Sequence, residues 1–242
     1  MSMVLKSVQD GTAIVTLNRP EKRNALTPEM AGLLARTLES AAEEANVILL
    51  QGAGKSFCAG ADLNSVNALT SENDIRAHAE ATGALFHTLG NLPVPVIAVV
   101  TGHALGAGCG LVTLCDMAVA APDAKLGYPE IGHGILPALV TPPLVRAVGK
   151  RRAFQILTRK TPLNAREALE TGLIAEIAVD PDAVAQEIAR HLATAAPGQV
   201  AAFKALLTLC ASAPDEESDR AALKANIADR LLRTRRASEP EN

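Results

Sequence analysis

Residues 102–116 read G-H-A-L-G-A-G-C-G-L-V-T-L-C-D and constrain the fold more than any other part of the chain. Glycines at positions 102, 106, 108 and 110 precede an apolar run, and an apolar segment that predicts a strand, residues 95–101, comes just before them. A strand, a glycine-rich turn and a helix in this order leave the first amides of the helix without an intrahelical acceptor. Those amides and the positive end of the helix dipole face whatever lies at the turn. Because glycine allows a ligand to approach the backbone closely, the stretch is predicted to hold a developing negative charge on oxygen.

Strands and helices are predicted to alternate along the first half of the chain. An Asp10-Gly11 turn between two apolar runs predicts a hairpin. Thr27 followed by Pro28 is typical of a helix start. The predicted strands are residues 4–8, 13–17, 47–51, 95–101 and 116–121, and the predicted helices are residues 28–44 and 73–89. This alternation indicates an α/β fold with parallel strands.

The pattern changes after Pro137, where helices dominate and a single strand is expected over residues 175–179. Helices are predicted over residues 141–148, 150–157, 165–171, 182–195, 200–210 and 215–235. We therefore expect a core domain over residues 1–196 and a helical region, serving assembly or covering a site, over residues 197–242.

Composition excludes several classes of function. The formal net charge of −3 and the absence of tryptophan give no basis for expecting nucleic acid as a partner. The four cysteines form no C-x-x-C pair and no metal motif is present, so no metal is expected. The longest apolar run, residues 94–100, is too short to span a bilayer, and the N-terminus lacks the pattern of a secretion signal. A cytoplasmic protein that does not bind membranes is predicted.

Five motifs in one order resemble those of the crotonase (enoyl-CoA hydratase/isomerase) superfamily. They are N-R-P-x-x-x-N-A-L at 18–26, F-C-A-G-A-D at 57–62, the glycine stretch at 102–116, Y-P-E-I-G at 128–132, and R-A-V-G with A-x-E-A-x-x-x-G-L at 146–149 and 165–173. The resemblance spans about residues 4–210. It implies a spiral of β-β-α units with a C-terminal helical region that assembles as a homotrimer or as a hexamer built from two trimers.

The resemblance also implies an acyl-CoA thioester as substrate, a role in fatty acid metabolism and no cofactor. Two backbone amides would polarise the thioester carbonyl, and by position they belong to Ala61 and Ala107. Alanine stands at 107 where glycine is usual, but the donor is main chain. Proton removal next to a thioester, or addition of water across its double bond, passes through an enolate-like species, and two fixed amides meet that charge without reorganisation.

The acid/base residues depart from the superfamily pattern. Many hydratases of this superfamily carry one glutamate after the glycine turn and a second in the P-E-I motif. Here the first position is Gly110 and the second is Glu130. A single acid/base suffices to shift a double bond, because one group takes a proton from one carbon and returns it to another. His133 is a second candidate for catalysis, in hydrolysis or other crotonase chemistry.

Three functions stay open on the sequence. The single carboxylate favours an enoyl-CoA isomerase, whereas the residues after Glu130 (I-L-P-A and P-P) are similar to branched-chain hydratases that also place glycine at 110. The third is a non-catalytic acyl-CoA-binding homologue. In all three cases CoA would be bound by the following residues: Lys22, Arg23, Ala25, Ala59, Asp62 and Leu63. Lys22 and Arg23 would meet the phosphates, and Asp62 also serves as a predicted helix cap.

Overall fold

The computed structural model describes residues 2–68, 70–195 and 198–210, except for the side chain of His133. The strands are β1 Val4–Gln9, β2 Thr12–Leu17, β3 Val47–Gly52, β4 Val96–Val100, β5 His103–Leu105, β6 Met117–Ala120, β7 Lys125–Gly127, β8 Leu163–Asn164 and β9 Glu176–Ile177. The α-helices are α1 Pro28–Glu44, α2 Leu63–Asn67, α3 Glu72–Gly90, α4 Ala107–Leu114, α5 Thr141–Leu157, α6 Ala165–Thr171, α7 Pro181–Ala193 and α8 Gln199–Cys210. Short 3-10 helices lie at Pro20–Lys22 and Pro129–His133.

The main sheet has six strands in the order β1-β2-β3-β4-β6-β9. β1 and β2 form the expected antiparallel hairpin, and Asp10 and Gly11 both adopt positive φ at its turn. The pairs from β2 onward are parallel, as the strand–helix alternation predicts.

The central strands are mostly apolar because both faces of the sheet are covered. Side chains of a strand alternate between the two faces. Ile48 and Leu50 of β3 join the larger core cluster, which includes α1 and α3. Val47 and Leu49 point the other way and pack with Ala185 and Ala189 of α7.

A second, three-stranded sheet in the order β5-β7-β8 was not predicted from the sequence. β5 pairs in parallel with β7, and β8 runs antiparallel to β7. Its strands have only two or three residues, too few to show a hydrophobic period. The expectation of a single strand after Pro137 is therefore wrong, because β8 lies there in addition to β9.

Most predicted helices begin and end within two residues of the observed ones. Residues 141–148 and 150–157 appear as one helix, α5, interrupted at Gly149, where φ is 76° and ψ is 160°. The predicted helix over residues 215–235 lies outside the described residues. None of the helices in the described part of the chain combines the length and apolar character that a membrane span requires.

Contacts divide the chain into two compact units, residues 1–193 and 194–242. The first contains both sheets and α1 to α7, and the described part of the second is α8 with the residues just before it.

Asn24 joins the loop after β2 to the loop after β3. Its side chain is fully buried, and Nδ2 donates hydrogen bonds to the carbonyls of Ala53, Ser56 and Phe57 at 2.9, 2.8 and 3.1 Å. Oδ1 accepts the N–H of Arg19 at 2.8 Å. Asn24 also has a φ of 56°, which asparagine tolerates better than most residues. This side chain therefore fixes the relative position of two loops that carry predicted CoA-binding residues.

Replacing Asn24 by alanine is expected to lower the free energy of unfolding by about 2–4 kcal/mol, because several buried carbonyls lose their donor. Urea unfolding followed by circular dichroism measures this change. Asn18→Ala is the matched control, since Asn18 makes an exposed hydrogen bond to Ser2. Equal stability of the two variants would contradict the role given to Asn24.

Candidate active site

Three backbone segments meet at the start of α4. The N–H of Leu105 donates to Cys58 O at 2.9 Å, and the N–H of Cys58 donates to His103 O at 2.9 Å. On the other side the N–H of Gly106 donates to Gly127 O at 2.9 Å. The segments that follow β3, β5 and β7 are therefore adjacent here, and each leads within three residues to a predicted site residue.

Gly60 and Gly106 allow the first two segments to approach each other closely. A Cβ on Gly60 would lie 2.8 Å from Leu105 O and 3.7 Å from the amide nitrogen of Ala107. Gly60 also has a φ of 98°, a conformation that side chains rarely adopt. The residues before the two predicted amide donors are thus in direct proximity.

The geometry leaves both predicted donor amides available. Ala61 forms a parallel bridge with Leu26, in which Leu26 bonds to Gly60 O and to the N–H of Asp62, so the N–H of Ala61 points away. Ala107 is the first residue of α4, where an N–H has no intrahelical acceptor. Within the described residues neither N–H donates a hydrogen bond, and both residues are partly exposed.

Glu130 lies next to this junction. A Cβ on Gly106 would be 2.9 Å from Glu130 Oε1 and 3.9 Å from Gly60 Cα. Glu130 is carried by the 3-10 helix Pro129–His133, which follows β7 directly. The structure therefore brings Glu130, Ala61 and Ala107 together, although they come from three separate parts of the sequence.

Tyr128 connects the Glu130 segment to α4. It is 2% exposed, and its hydroxyl lies 2.7 Å from Thr113 Oγ1. The Thr113 hydroxyl also lies 2.9 Å from Cys109 O, so the tyrosine is linked to the backbone of α4 through Thr113. Burial raises the pKa of Tyr128 well above its usual value, so the hydroxyl remains protonated.

The cysteines near the junction are not nucleophiles. Burial raises the pKa of both Cys58 and Cys109 to about 12, and the charge of Glu130 contributes in the same direction for Cys109. The thiolate is the reactive form of cysteine, so both thiols are inert near neutral pH. Among the described residues no group of three or more His, Cys, Asp or Glu side chains is placed to hold a metal ion.

The predicted CoA-binding residues lie on two adjoining segments. The N–H of Ala59 donates to Arg23 O at 2.9 Å, and the N–H of Ala25 donates to Lys22 O at 3.1 Å. The side chains of Lys22 and Arg23 are exposed, and Leu63 is 71% exposed at the start of α2. Two cations and an apolar side chain thus face solvent beside the amide of Ala61.

Asp62 has a structural role in this arrangement. Its carboxylate caps α2 by accepting the N–H groups of Asn64 and Ser65, and it pairs with Arg19 at 3.1 Å. Burial alone would raise the pKa of this carboxyl, but the backbone N–H of Ser65, the Arg19 guanidinium and the N–H of Asn64 together hold it below its usual value. The predicted N-cap of α2 is confirmed, and the Asp62 carboxylate is occupied by its bonds to Arg19 and to the first turn of α2.

Gly110 and His133 are the two remaining predicted positions. Gly110 is buried in α4, and its N–H donates to Gly106 O at 2.9 Å. His133 ends the 3-10 helix that carries Glu130, and its side chain lies outside the described residues. Asn24 and Tyr128 lie inside the motifs at 18–26 and 128–132, but the motifs alone do not predict that these two side chains support the site through hydrogen bonds.

The chain is similar in sequence to a known protein family and to characterised relatives. The family model described as enoyl-CoA hydratase/isomerase matches residues 7–234. The 2,3-dehydroadipyl-CoA hydratase of Escherichia coli is 36% identical over 232 residues, which cover 94% of this chain and 87% of that relative.

Solved structures agree in fold. An enoyl-CoA hydratase of Mycobacterium smegmatis superposes with a TM-score of 0.87 at 31% identity, covering 95% of this chain and 91% of the other. Human enoyl coenzyme A hydratase domain-containing protein 3 superposes with a TM-score of 0.90 at 27% identity, covering 96% of this chain and 93% of the other. The α/β spiral with C-terminal helices that the resemblance implied is confirmed.

The lowered pKa of Asp62 predicts a pH-dependent contribution to stability. A carboxyl whose pKa is lower in the folded state stabilises the fold above its unfolded pKa of about 4, and this contribution is lost as the pH falls through the folded pKa. Asparagine is also a good N-cap, so Asp62→Asn removes chiefly the charge that faces Arg19. We expect it to lower the free energy of unfolding by about 1–3 kcal/mol at pH 7 and by less at pH 3.

Urea midpoints measured between pH 7 and pH 3 test this dependence. Glu72→Gln is the control, because Glu72 forms an exposed pair with Arg76 and should leave the midpoint unchanged. A stability difference between Asp62→Asn and wild type that is constant over this pH range would contradict the prediction.

Proposed function

The chain belongs to the enoyl-CoA hydratase/isomerase family, and we propose that it binds an enoyl-CoA thioester and transfers a proton at the carbons next to the thioester carbonyl. The observation that carries the proposal is the convergence of Glu130 Oε1 on the glycines that precede Ala61 and Ala107. A carboxylate and two available amides at one junction supply a base and an oxyanion site. No cofactor takes part in the proposed reaction.

The two amides stabilise the negative charge that develops on the thioester oxygen. The N–H of Ala107 adds the positive end of the α4 dipole to its hydrogen bond. Both donors are main chain and are held by the bridges at Leu26 and Ala104, so they need no reorganisation when the charge forms.

Double-bond migration is the reaction that this geometry supports best. The Glu130 carboxylate takes a proton from C2 of a 3-enoyl thioester, and the released electron pair moves toward the thioester oxygen as a dienolate. The same carboxyl then returns the proton at C4, which gives the 2-enoyl thioester with no net gain or loss of atoms. One carboxyl therefore acts as base and then as acid.

Hydration of a 2-enoyl thioester is the second candidate. It is favoured by the relatives, because the Escherichia coli relative is named a hydratase and so is the solved Mycobacterium smegmatis structure. With glycine at 110, Glu130 would have to orient the attacking water without a second carboxylate at that position.

Lys22 and Arg23 are proposed to meet the phosphates of CoA. Both cations are exposed beside the segment that carries Ala61, and the backbone carbonyl of Arg23 is fixed by Ala59. Assembly as a trimer, or as two stacked trimers, is part of the same proposal and follows the family pattern.

Glu130→Gln is expected to lower kcat at least 10³-fold on 2-enoyl-CoA and 3-enoyl-CoA alike, because glutamine keeps the shape but accepts no proton. Binding of a saturated acyl-CoA should stay within about threefold of wild type. Product analysis by mass spectrometry separates water uptake from isomerisation, and calorimetry measures binding.

The control for Glu130→Gln is Glu187→Gln, which changes an exposed carboxylate on α7. Unchanged turnover by Glu130→Gln would overturn the assigned role. Tight thioester binding by a wild-type protein that converts neither substrate would instead favour a non-catalytic acyl-CoA-binding protein.

Ala107→Pro is expected to remove one oxyanion donor while keeping α4. Proline is well tolerated at the first position of a helix and has no N–H. Loss of such a donor typically costs about 10²–10³-fold in kcat, so a decrease of at least 100-fold in kcat/KM is predicted. Ala107→Ser, which retains the N–H, should stay within about tenfold of wild type. Similar kinetics for the proline and serine variants would argue against the amide of Ala107 as a donor.

A further inference from the structure

Gly110 lies in the first turn of α4, close in sequence to the glycine that contacts Glu130. Gly106 precedes α4 and adjoins Glu130 Oε1, and Gly110 follows one helical turn later, bonded to the carbonyl of Gly106. One turn corresponds to about 5.4 Å along the helix axis. Position 110 therefore lies about one helical turn along α4 from the contact between Gly106 and Glu130.

The space beside Gly110 is filled by two apolar side chains. A Cβ on Gly110 would lie 2.5 Å from Phe86 Cζ, 3.0 Å from Phe86 Cε2 and 3.2 Å from Val140 Cγ1. A carbon–carbon contact of 2.5 Å essentially never occurs for a real Cβ atom, so even alanine at 110 requires the ring of Phe86 to move. Phe86 is 7% exposed and Val140 is 4% exposed, so both side chains are held by their surroundings.

Phe86 is fixed by the packing of α3. It stands between Leu85 and Leu89, both fully buried, near the C-terminal end of that helix. α3 packs against α1 on one side and α4 on the other. The ring of Phe86 is consequently held in place by packing next to Gly110 of α4.

The apolar side chains beside Gly110 bear on whether the site favours hydration or isomerisation. Hydration requires a water molecule whose oxygen bonds to C3 while a proton is added at C2. A group at position 110 would be placed to hold that water, but a buried phenyl ring and a valine offer no hydrogen-bond acceptor. Isomerisation needs no water, because Glu130 moves a proton of the substrate itself.

We propose that Phe86 determines the product of the reaction, by filling the side of the site at Gly110 and excluding the water that hydration needs. This inference rests on the proposed function of Glu130 as the acid/base. It makes Phe86 and Gly110 a coupled pair, in which a carboxylate at 110 requires a smaller residue at 86.

The coupling predicts different outcomes for single and double variants. Gly110→Glu alone should lower the unfolding midpoint sharply or fail to fold, because its side chain meets the ring of Phe86. Phe86→Ala with Gly110→Glu should fold like Phe86→Ala alone and should raise the ratio of hydrated to isomerised product at least tenfold over wild type. Phe86→Ala alone, which opens the space beside Gly110 to water, should raise that ratio at least threefold.

The experiment uses 3-enoyl-CoA and 2-enoyl-CoA in ¹⁸O-labelled water, with products separated and weighed by mass spectrometry and stability measured by urea unfolding. Leu38→Ala is the matched control, because it removes a fully buried side chain from α1. It should lose stability while its product ratio stays at the wild-type value.

Two outcomes would overturn the inference. The first is a wild-type product ratio in both Phe86→Ala and the double variant, and the second is normal folding of Gly110→Glu with Phe86 in place. Failure of the proposed function looks different, because wild type would then convert neither substrate. The wild-type measurement therefore separates the two failures before any variant is compared.

Discussion

The close approach of α4 to the segment after β3 is the constraint on which the rest of the site depends. A Cβ on Gly108 would lie 2.3 Å from the carbonyl oxygen of Cys58, so no other residue fits there without a backbone shift. This contact places Ala61 and Ala107 on the same junction and allows Leu105 to bond to Cys58. The glycines in residues 102–116 thus allow close backbone contact, and the proximity of the Ala61 and Ala107 amides is a consequence of that packing.

Long elements with a regular hydrophobic period could be predicted from the sequence. α1 was anticipated from Thr27 and Pro28, and the parallel order of β2, β3 and β4 followed from strand–helix alternation. β5 and β7 could not be predicted, because three residues are too few to show a period. These two short strands bring Gly106 next to Gly127, and hence Ala107 next to Glu130. The motifs predict the candidate site residues, but the reason for the proximity of Glu130, Ala61 and Ala107 is visible only in the structure.

The site has one polar side and one apolar side, and they have different structural supports. Glu130 depends on β7 and on the hydroxyl contact between Tyr128 and Thr113. The apolar side depends on α3 and on Val140, just before α5. No carboxylate is present at Gly110, and the side chains of Phe86 and Val140 occupy the space beside it. This filling explains why glycine at 110 leaves no cavity in the core, since an empty site of side-chain size would be destabilising.

The proposed acid/base and the apolar side chain beside Gly110 are held by different elements of the fold. The proposed amide donors of Ala61 and Ala107 are main-chain groups in segments fixed by backbone hydrogen bonds, and the proposed base, Glu130, lies on a segment held by β7 and by the contact between Tyr128 and Thr113. In our proposal the product of the proton transfer depends on the volume of Phe86, on a helix that packs against α1 and α4. Packing of this kind tolerates exchange of apolar residues of similar volume. The family motifs thus contain the proposed acid/base and the proposed amide donors, whereas the proposed choice between water addition and double-bond migration depends on Phe86, a residue outside all five motifs.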